Sequence, residues 1–258
     1  MSSQQLVKLL LVAVVATCAA ELISLRGHAS PQSTNGPFVM RQEHYVVQNG
    51  NEVLVLRQTE SRRSDGARHL EGTYEPQPGG KAATFERLDL PDGTEATLIR
   101  AIKAKTTVMK KEEAERRKAQ LAKEVPTNCL SVGDELTGEE TLFGFRALRI
   151  RTQTSKEALR RDTHWRLPDF RCTTVQAVIE KRESQSSPWI RANEARLVSF
   201  RAVDPDPAEF EIPKDYEEMK PSDAKRKLSK SQGQTPETCP KCFEDDPTDA
   251  LYEKLKLK

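Results

Sequence analysis

The 258-residue chain has no marked excess of charge of either sign. Lys and Arg number 41 and Asp and Glu 39, which leaves a formal net charge of +2. Domains that bind nucleic acid usually carry a clearly basic surface, so this balance argues against a nucleic-acid partner. Aromatic residues are also scarce, at 5%, within a hydrophobic fraction of 36%. The composition therefore predicts a thin, sheet-like core.

Catalytic signatures are missing as well. The chain contains no HExxH, GxSxG, GxxxxGK[ST] or GxGxxG motif. Beyond the N-terminal segment, His44, His69 and His164 each stand alone on a predicted strand. Acidic residues are plentiful but interleaved with Lys and Arg, so no pair is nominated as a general acid and base. We expect a protein that is not an enzyme and that needs neither a cofactor nor a metal.

The chain lacks an apolar run long enough to span a membrane. Its longest run of apolar and small residues extends from Leu9 to Ala20 and is closed by Glu21. A spanning helix needs about 20 such residues, whereas the core of a secretory signal needs about 7–15. We predict a signal peptide over residues 1–29, cleaved after Ala20 or Ala29. The alternatives are an uncleaved anchor, or a lipobox that makes Cys18 a lipidated N-terminus.

Five cysteines are present, and four of them follow Cys18. In an exported chain, an even number of cysteines is interpreted first as disulfides. Cys129 and Cys172 lie 43 residues apart, each next to a predicted strand, and a bridge between them would stabilise the fold by about 4 kcal/mol. The alternative is two free buried thiols. A catalytic role has no support in the surrounding sequence.

The other two cysteines form the motif Cys239-Pro240-Lys241-Cys242. It follows a polar, charged stretch, so we predict that residues 221–258 form a disordered tail. A local disulfide is one interpretation of the motif. Half of a zinc site and a redox pair are the others, although no strand precedes the motif as in thioredoxin folds. The basic run Lys225–Lys230 indicates a solvated linker, or a weak contact with an anionic membrane or cell wall.

Between these ends, residues 30–220 have the pattern of an antiparallel all-β domain. Alternating apolar and polar runs are separated by turn residues at intervals of 10–15 positions. Asn49-Gly50 lies between two such runs and predicts a tight hairpin. The stretch Cys129–Cys172 resembles a strand pair, and Trp165 within it is expected in the core, with an aromatic wall for a ligand as the alternative. Lys110–Lys123 favours a helix that lies over the sheet.

Three motifs carry a resemblance to a known group. They are Gly144-Phe145-Arg146-Ala147, the run Trp165–Cys172 (WRLPDFRC), and the run Asp206–Tyr216 (DPAEFEIPKDY). Together they resemble the bacterial outer-membrane lipoprotein-sorting (LolA/LolB-like) superfamily over roughly residues 38–220. The helix-like insert and the CPKC motif are departures from that group.

The resemblance implies a mainly β fold, in which a curved antiparallel sheet forms an incomplete barrel with a covering helix and an apolar concavity. It further implies a binding module in the periplasm or envelope of a bacterium, or a secreted one, with a lipid, acyl chain or lipoprotein as its partner. No ligand-binding residue is carried over. The alternatives are a structural or interaction protein whose concavity is filled by its own side chains, and a redox or metal protein that uses Cys239 and Cys242.

Overall fold

The computed structural model describes residues 36–75, 82–109, 129–152 and 159–233, together with Thr235, Pro236 and Glu244. The predicted signal peptide, the predicted helix at 110–123 and the CPKC motif lie outside these ranges. The sites of cleavage or lipidation and the roles of Cys239 and Cys242 therefore stay predictions.

Twelve strands form one curved sheet that does not close into a barrel. The neighbours are antiparallel except for a short parallel pair between β12 and β6. From one edge to the other, the order is β12-β6-β5-β4-β3-β2-β1-β11-β10-β9-β8-β7. The strands are β1 (Phe38–Gln48), β2 (Asn51–Arg62), β3 (Arg68–Tyr74), β4 (Ala83–Asp89), β5 (Thr94–Ile99), β6 (Ala104–Met109), β7 (Asp134–Leu142), β8 (Phe145–Thr152), β9 (Arg160–Leu167), β10 (Thr173–Lys181), β11 (Ile190–Arg201) and β12 (Glu217–Glu218). The mainly β prediction is confirmed.

The hairpin predicted at Asn49-Gly50 joins β1 to β2. Both turn residues have positive φ, at 51° and 80°. Asn and Gly tolerate this conformation, which a two-residue turn needs in order to match the twist of its strands. Along β1, alternate residues are buried, as expected for a strand with one face in the core.

The Cys129–Cys172 stretch contains three strands rather than the predicted pair. A second two-residue hairpin turns at Phe143-Gly144, where φ is 51° and 85°, and separates β7 from β8. The prediction was wrong because a bulky Phe rarely adopts positive φ, so the turn was not evident.

Residues 221–231 are helical, which corrects the prediction of a tail that is disordered from Pro221. The helix α1 (Pro221–Ser231) begins with a proline at its first position and has Asp223 in its first turn and Lys230 in its last. These are favourable positions with respect to the helix ends and dipole. The buried residues of α1 are small, including Ser222 and Ala224. Composition alone therefore showed nothing to bury.

Phenylalanines fill the main apolar cluster. Phe170 and Phe200 lie 4.7 Å apart between ring centroids, and Phe38 stacks on Phe200 at 5.2 Å. Phe145 completes the group, at 5.0 Å from Phe170. Trp165 packs against this cluster but is only partly buried, so it lies at the edge of the core in which it was expected. Most of these rings pack edge to face against one another, so the protein's own side chains fill this cluster.

Strand β8 is covered on both faces. Ala147 belongs to the phenylalanine cluster, whereas the next residue, Leu148, packs with Ile150 against Cys129 and Cys172. Consecutive residues of a strand point to opposite faces, so the two cysteines cover the side of β8 that the phenylalanines leave open.

The buried face changes across the sheet. Four residues on neighbouring strands form one row on the face of the phenylalanine cluster. In order across the sheet they are Met40, Glu60, Leu70 and Arg87. Leu88, the next residue, therefore points to the other face, where it packs in a third cluster with Ala96 and Leu98. The chain after β11 covers this second face with three side chains, which are Phe210, Ile212 and Tyr216.

Candidate functional site

A cleft of about 470 Å³ opens on the second face of the sheet, beside the third cluster. Two neighbouring rows of side chains, set by the strand register, form much of its lining. The first row runs across five strands and consists of Arg41, Thr59, Glu71, Glu86 and Leu98. The second row runs across four strands and consists of Glu43, Arg57, Thr73 and Thr84.

Most charges in the cleft are paired. Arg57 donates to Glu43 Oε1 at 3.2 Å and also pairs with Glu75. Arg100, at one end of the cleft, donates to Glu86 Oε2 at 2.5 Å and lies 3.7 Å from Glu71. Both arginines are more than half exposed. The pairs keep their charged groups at the surface, where a ligand can reach them.

Glu86 connects the cleft to the covered part of the face. Its Oε1 lies 3.1 Å from His69 Nε2, and the ring of His69 meets Phe210 edge to face. Burial raises the pKa of Glu86, but hydrogen bonds from His69 and Arg100 outweigh burial and hold the pKa at about 2. Glu86 is therefore ionised at neutral pH. A permanently charged carboxylate fixed by two donors is suited to hold its neighbours in position.

Arg41 differs from the other cleft arginines. It is exposed, and within the described part of the chain it has no ion-pair partner. Beside it, Val198 is 48% exposed, at a bulge where β11 shifts register against β1. Leu98 lies at the far end of the first row and is almost fully buried. An unpaired guanidinium next to the exposed apolar side chain of Val198 favours a ligand that carries both an anionic and an apolar group.

The cleft is not the apolar concavity that the resemblance implies. Its two rows carry two arginines and three glutamates. Many of the large apolar side chains of the described residues are packed into the three clusters instead. The expectation of an apolar concavity is therefore corrected for this cleft. The physical reason is the change of buried face, which leaves polar strand positions uncovered on the second face.

The predicted cysteine pair lies away from the cleft. Cys129 and Cys172 are joined in a disulfide with their Cα atoms 5.4 Å apart, and both are buried. Arg166 donates to the carbonyl oxygen of Cys129 at 2.6 Å and to Asp134 Oδ2 at 2.9 Å. A buried bridge packed against Leu148 has a structural role here.

The three histidines are not brought together. His69 contacts Glu86, whereas His44 and His164 lie at the two ends of one cross-strand row with Ala195 and Ala177 between them. Both nitrogens of His44 and Nδ1 of His164 are buried without a hydrogen-bond partner. Burial lowers the pKa of each of these two imidazoles to about 4. They are neutral at pH 7 and act as core side chains.

The described residues offer neither a metal centre nor a membrane-spanning helix. No group of three or more His, Cys, Asp or Glu side chains among them is arranged to hold a metal ion. No helix in the same ranges is both long and apolar enough to cross a bilayer.

Sequence reasoning did not find the cleft residues. Arg41, Arg57 and Arg100 are distant in sequence and meet only because β1 to β5 lie side by side. The available signal was the polar half of each alternating strand, in which charged and hydroxyl residues recur at every second position. That pattern is also typical of an ordinary solvated face.

Neither protein-family models nor curated proteins match the sequence. Among solved structures, the chain is similar to the Pseudomonas aeruginosa MucA/MucB complex structure, with a TM-score of 0.40 and 12% identity over 72% of this chain and 59% of that one. A conserved protein from Thermus thermophilus has a TM-score of 0.39, with 8% identity over 72% of this chain and 90% of that one. A putative outer membrane lipoprotein-sorting domain from Vibrio parahaemolyticus has a TM-score of 0.28, with 8% identity over 69% of this chain and 91% of that one.

The structural neighbours thus include a domain of the lipoprotein-sorting group that the three motifs resemble. The chain spans less than two thirds of the matched chain in the MucA/MucB structure. Because each of these TM-scores is below 0.5, no ligand or partner is transferred from these proteins to this chain.

Proposed function

We propose that the chain is a non-enzymatic binding module of the bacterial cell envelope, and that its cleft binds an extended polypeptide segment. The observation that carries the proposal is the pair of rows across β1 to β5, in which arginine, glutamate and threonine side chains alternate over an exposed sheet face. An extended segment that lies along the strands offers side chains at every second residue, which is the separation of the two rows along each strand. Its charges and amides match a lining that contains charges of both signs.

Arg41 is the anchor in this proposal. Its guanidinium is exposed and unpaired within the described ranges, so an acidic side chain or terminal carboxylate can bind it as a two-pronged partner. Val198 provides an apolar contact beside it. The paired groups Arg57–Glu43 and Arg100–Glu86 then limit the ligand to one whose own charges complement them.

A lipid, acyl chain or lipoprotein is the second candidate. The resemblance to the lipoprotein-sorting group and the apolar side chains of Leu98 and Val198 favour it. Each buried CH₂ group contributes about 0.8 kcal/mol. Against this gain, a hydrocarbon chain would remove the charged groups of Arg57 and Glu71 from water without offering them a hydrogen bond, which is costly.

A displayed library of 12-residue peptides, selected on the purified exported protein, tests the first candidate. The variant Thr84→Trp places a large ring at an exposed position of the cleft, and Ile190→Trp is the matched control at an exposed position of β11 outside the lining. We expect selected peptides to lose about tenfold or more in affinity for Thr84→Trp and to bind Ile190→Trp as they bind the unmodified protein. Equal peptide affinity for the two variants would show that the peptides do not bind in the cleft.

Titration with a fluorescent fatty acid tests the second candidate. Saturable binding that phospholipid displaces, and that Thr84→Trp weakens, would replace the peptide by a lipid as the ligand. Absence of binding at tens of micromolar, together with peptide binding, supports the first candidate. Absence of both overturns the binding module and leaves an interaction protein with a filled core.

A further inference from the structure

We infer that the outer edge of β7 binds an extended segment of a partner polypeptide by strand addition, and that this segment alternates basic and apolar residues. The site is separate from the proposed cleft. The cleft lies on a face of β1 to β5, whereas β7 ends the sheet on the other side of β1. The inference does not depend on what the cleft binds.

The backbone of β7 is available for pairing. The strand has nine residues and pairs with β8 only, and no strand in the described ranges lies beyond it. The opposite edge, β12, has only two residues. A long edge strand presents free N–H and C=O groups, which is the arrangement that strand addition uses.

Exposed apolar side chains line this edge. Leu136 is 42% exposed on β7 itself, Phe143 is 51% exposed in the turn that follows, and Val132 is fully exposed in the turn that precedes it. Within the described residues, only seven large apolar side chains are exposed to this degree, and three of them lie here. Their concentration on one edge strand and its two flanking turns indicates a surface that a partner covers.

The charge of β7 indicates which partner fits. The strand carries four carboxylates and no basic residue. Asp134 pairs with Arg166, Glu139 with Arg146, and Glu140 accepts a hydrogen bond from Trp165 Nε1. Glu135 is exposed and has no partner in the part of the chain that the structure describes.

Glu135 and Leu136 are consecutive, so they point to opposite faces of the sheet. A partner strand that places a basic residue beside one and an apolar residue beside the other must itself alternate in these properties.

A second copy of the chain fits this edge poorly. Antiparallel pairing of two β7 strands would bring Glu135, Glu139 and Glu140 of both copies together, and like charges on adjacent strands destabilise a pair. A bulge at Thr137 also interrupts the edge, where Arg149 Nη2 donates to the carbonyl oxygen of Thr137 at 3.2 Å. The bulge divides the edge into Asp134–Leu136 and Gly138–Leu142, and a seven-residue peptide that follows the bulge can contact both parts.

A labelled heptapeptide, KVKLKVK, is the probe, titrated against the full-length protein by fluorescence anisotropy. We expect saturable binding and slower hydrogen exchange at the amides of residues 134–142. The control peptide has the same sequence with two adjacent central residues N-methylated. Adjacent N–H groups point to opposite edges of a strand, so this control removes pairing on both edges while it keeps the charge. Its affinity should fall by about tenfold or more.

Two protein variants complete the test. Glu135→Lys should weaken the peptide by about fivefold or more, whereas Glu183→Lys, at an exposed acidic position in the turn after β10, should leave binding unchanged. Equal binding of the two peptides, or equal effects of the two variants, would reduce the interaction to general charge attraction and overturn the inference. A self-associated protein whose β7 amides are protected without peptide would also overturn it, in favour of a second copy.

Discussion

The two parts of the sheet on either side of β1 bury their side chains by different means. From β1 through β11 to β8, phenylalanines and a disulfide fill the interior. From β2 to β5, buried ion pairs take a large share: Glu60 is 4% exposed and accepts hydrogen bonds from Arg62 and Arg68. Burial raises the pKa of Glu60, but the two arginines lower it by more, and the resulting pKa is about 2.

The comparison shows where a binding surface can exist in this fold. The phenylalanine cluster has no polar position to offer, because its side chains already contact one another. In the ion-paired part, the charged rows continue from the covered region into the open cleft, as Glu86 does between His69 and Arg100. The apolar part therefore supports the fold, and the polar part presents the side chains of the proposed binding site.

Replacing Glu60 should have the largest effect. Glu60→Gln leaves the buried guanidinium of Arg68 with Asp89 alone, at 3.6 Å. We expect a loss of about 3–5 kcal/mol in the free energy of unfolding, measured with urea. The matched control is Glu43→Gln, because Glu43 is more exposed and its loss should cost less than about 1 kcal/mol. Similar losses for both variants would show that burial does not distinguish the pairs.

Opening the disulfide tests the apolar part in the same way. Cys172→Ser should lower the free energy of unfolding by about 4 kcal/mol, since the bridge closes a loop of 43 residues. It should also make Cys129 reactive to alkylation after unfolding without a reductant. The double variant Cys129→Ser, Cys172→Ser separates the loss of the bridge from the effect of a free thiol. Alkylation of both cysteines in unreduced wild-type protein would contradict the bridge.

Lowering the pH should reduce the free energy of unfolding through two buried histidines of the apolar part. His44 and His164 have a folded-state pKa of about 4, compared with about 6.5 when unfolded. Their neutral form favours the fold fully above pH 6.5. As the pH falls from 6.5 to 4, the unfolded chain takes up protons that the folded chain does not, so a few kcal/mol of stability are lost.

Urea titrations at several pH values measure this loss. The double variant His44→Leu, His164→Leu should flatten the dependence between pH 6.5 and 4.5, above the range in which Glu60 and Glu86 take up protons. An unchanged slope in the double variant would show that other groups are responsible.

Removing α1 should have the smallest effect on the free energy of unfolding. The helix packs against the polar part of the sheet. The helix contacts β6 and the 3₁₀ turn at Arg100–Ile102, and it buries Ser222, Ala224 and Ser229. A chain that stops after Met219 should lose about 1–3 kcal/mol and several degrees in Tm. The control is a chain that stops after Gly233. Equal Tm values for the two would show that α1 does not stabilise the sheet.

Local signals predicted much of the strand arrangement. Alternation along β1, β2, β10 and β11 located these four strands. Asn49-Gly50 located the hairpin between β1 and β2, because both residues tolerate positive φ. The hairpin at Phe143-Gly144 was missed because one of its residues is an unfavourable turn former. The helix at Pro221–Ser231 was missed because the residues it buries are small, and two of the three are serines.

The candidate site was beyond sequence reasoning for a different reason. Most residues of the two cleft rows occupy polar strand positions, and such positions look alike whether they face bulk water or a concave surface. Arg41 and Glu86 come together only through the register of four strands. The missing information is the face on which the later segment Phe210–Tyr216 lies.

The sequence by itself determined the mainly β class, most of the strand positions and a cysteine pair placed to bridge, because alternation and turn chemistry act over a few neighbouring residues. The tertiary structure decided which face of each strand is covered, that α1 forms, and that the rows of Arg41 and Arg57 remain open as a cleft. These outcomes depend on contacts between residues far apart in the chain, such as Leu88 with Ile212 and Tyr216. Burial of those contacts assigns an inside and an outside to a pattern that is locally the same on both faces.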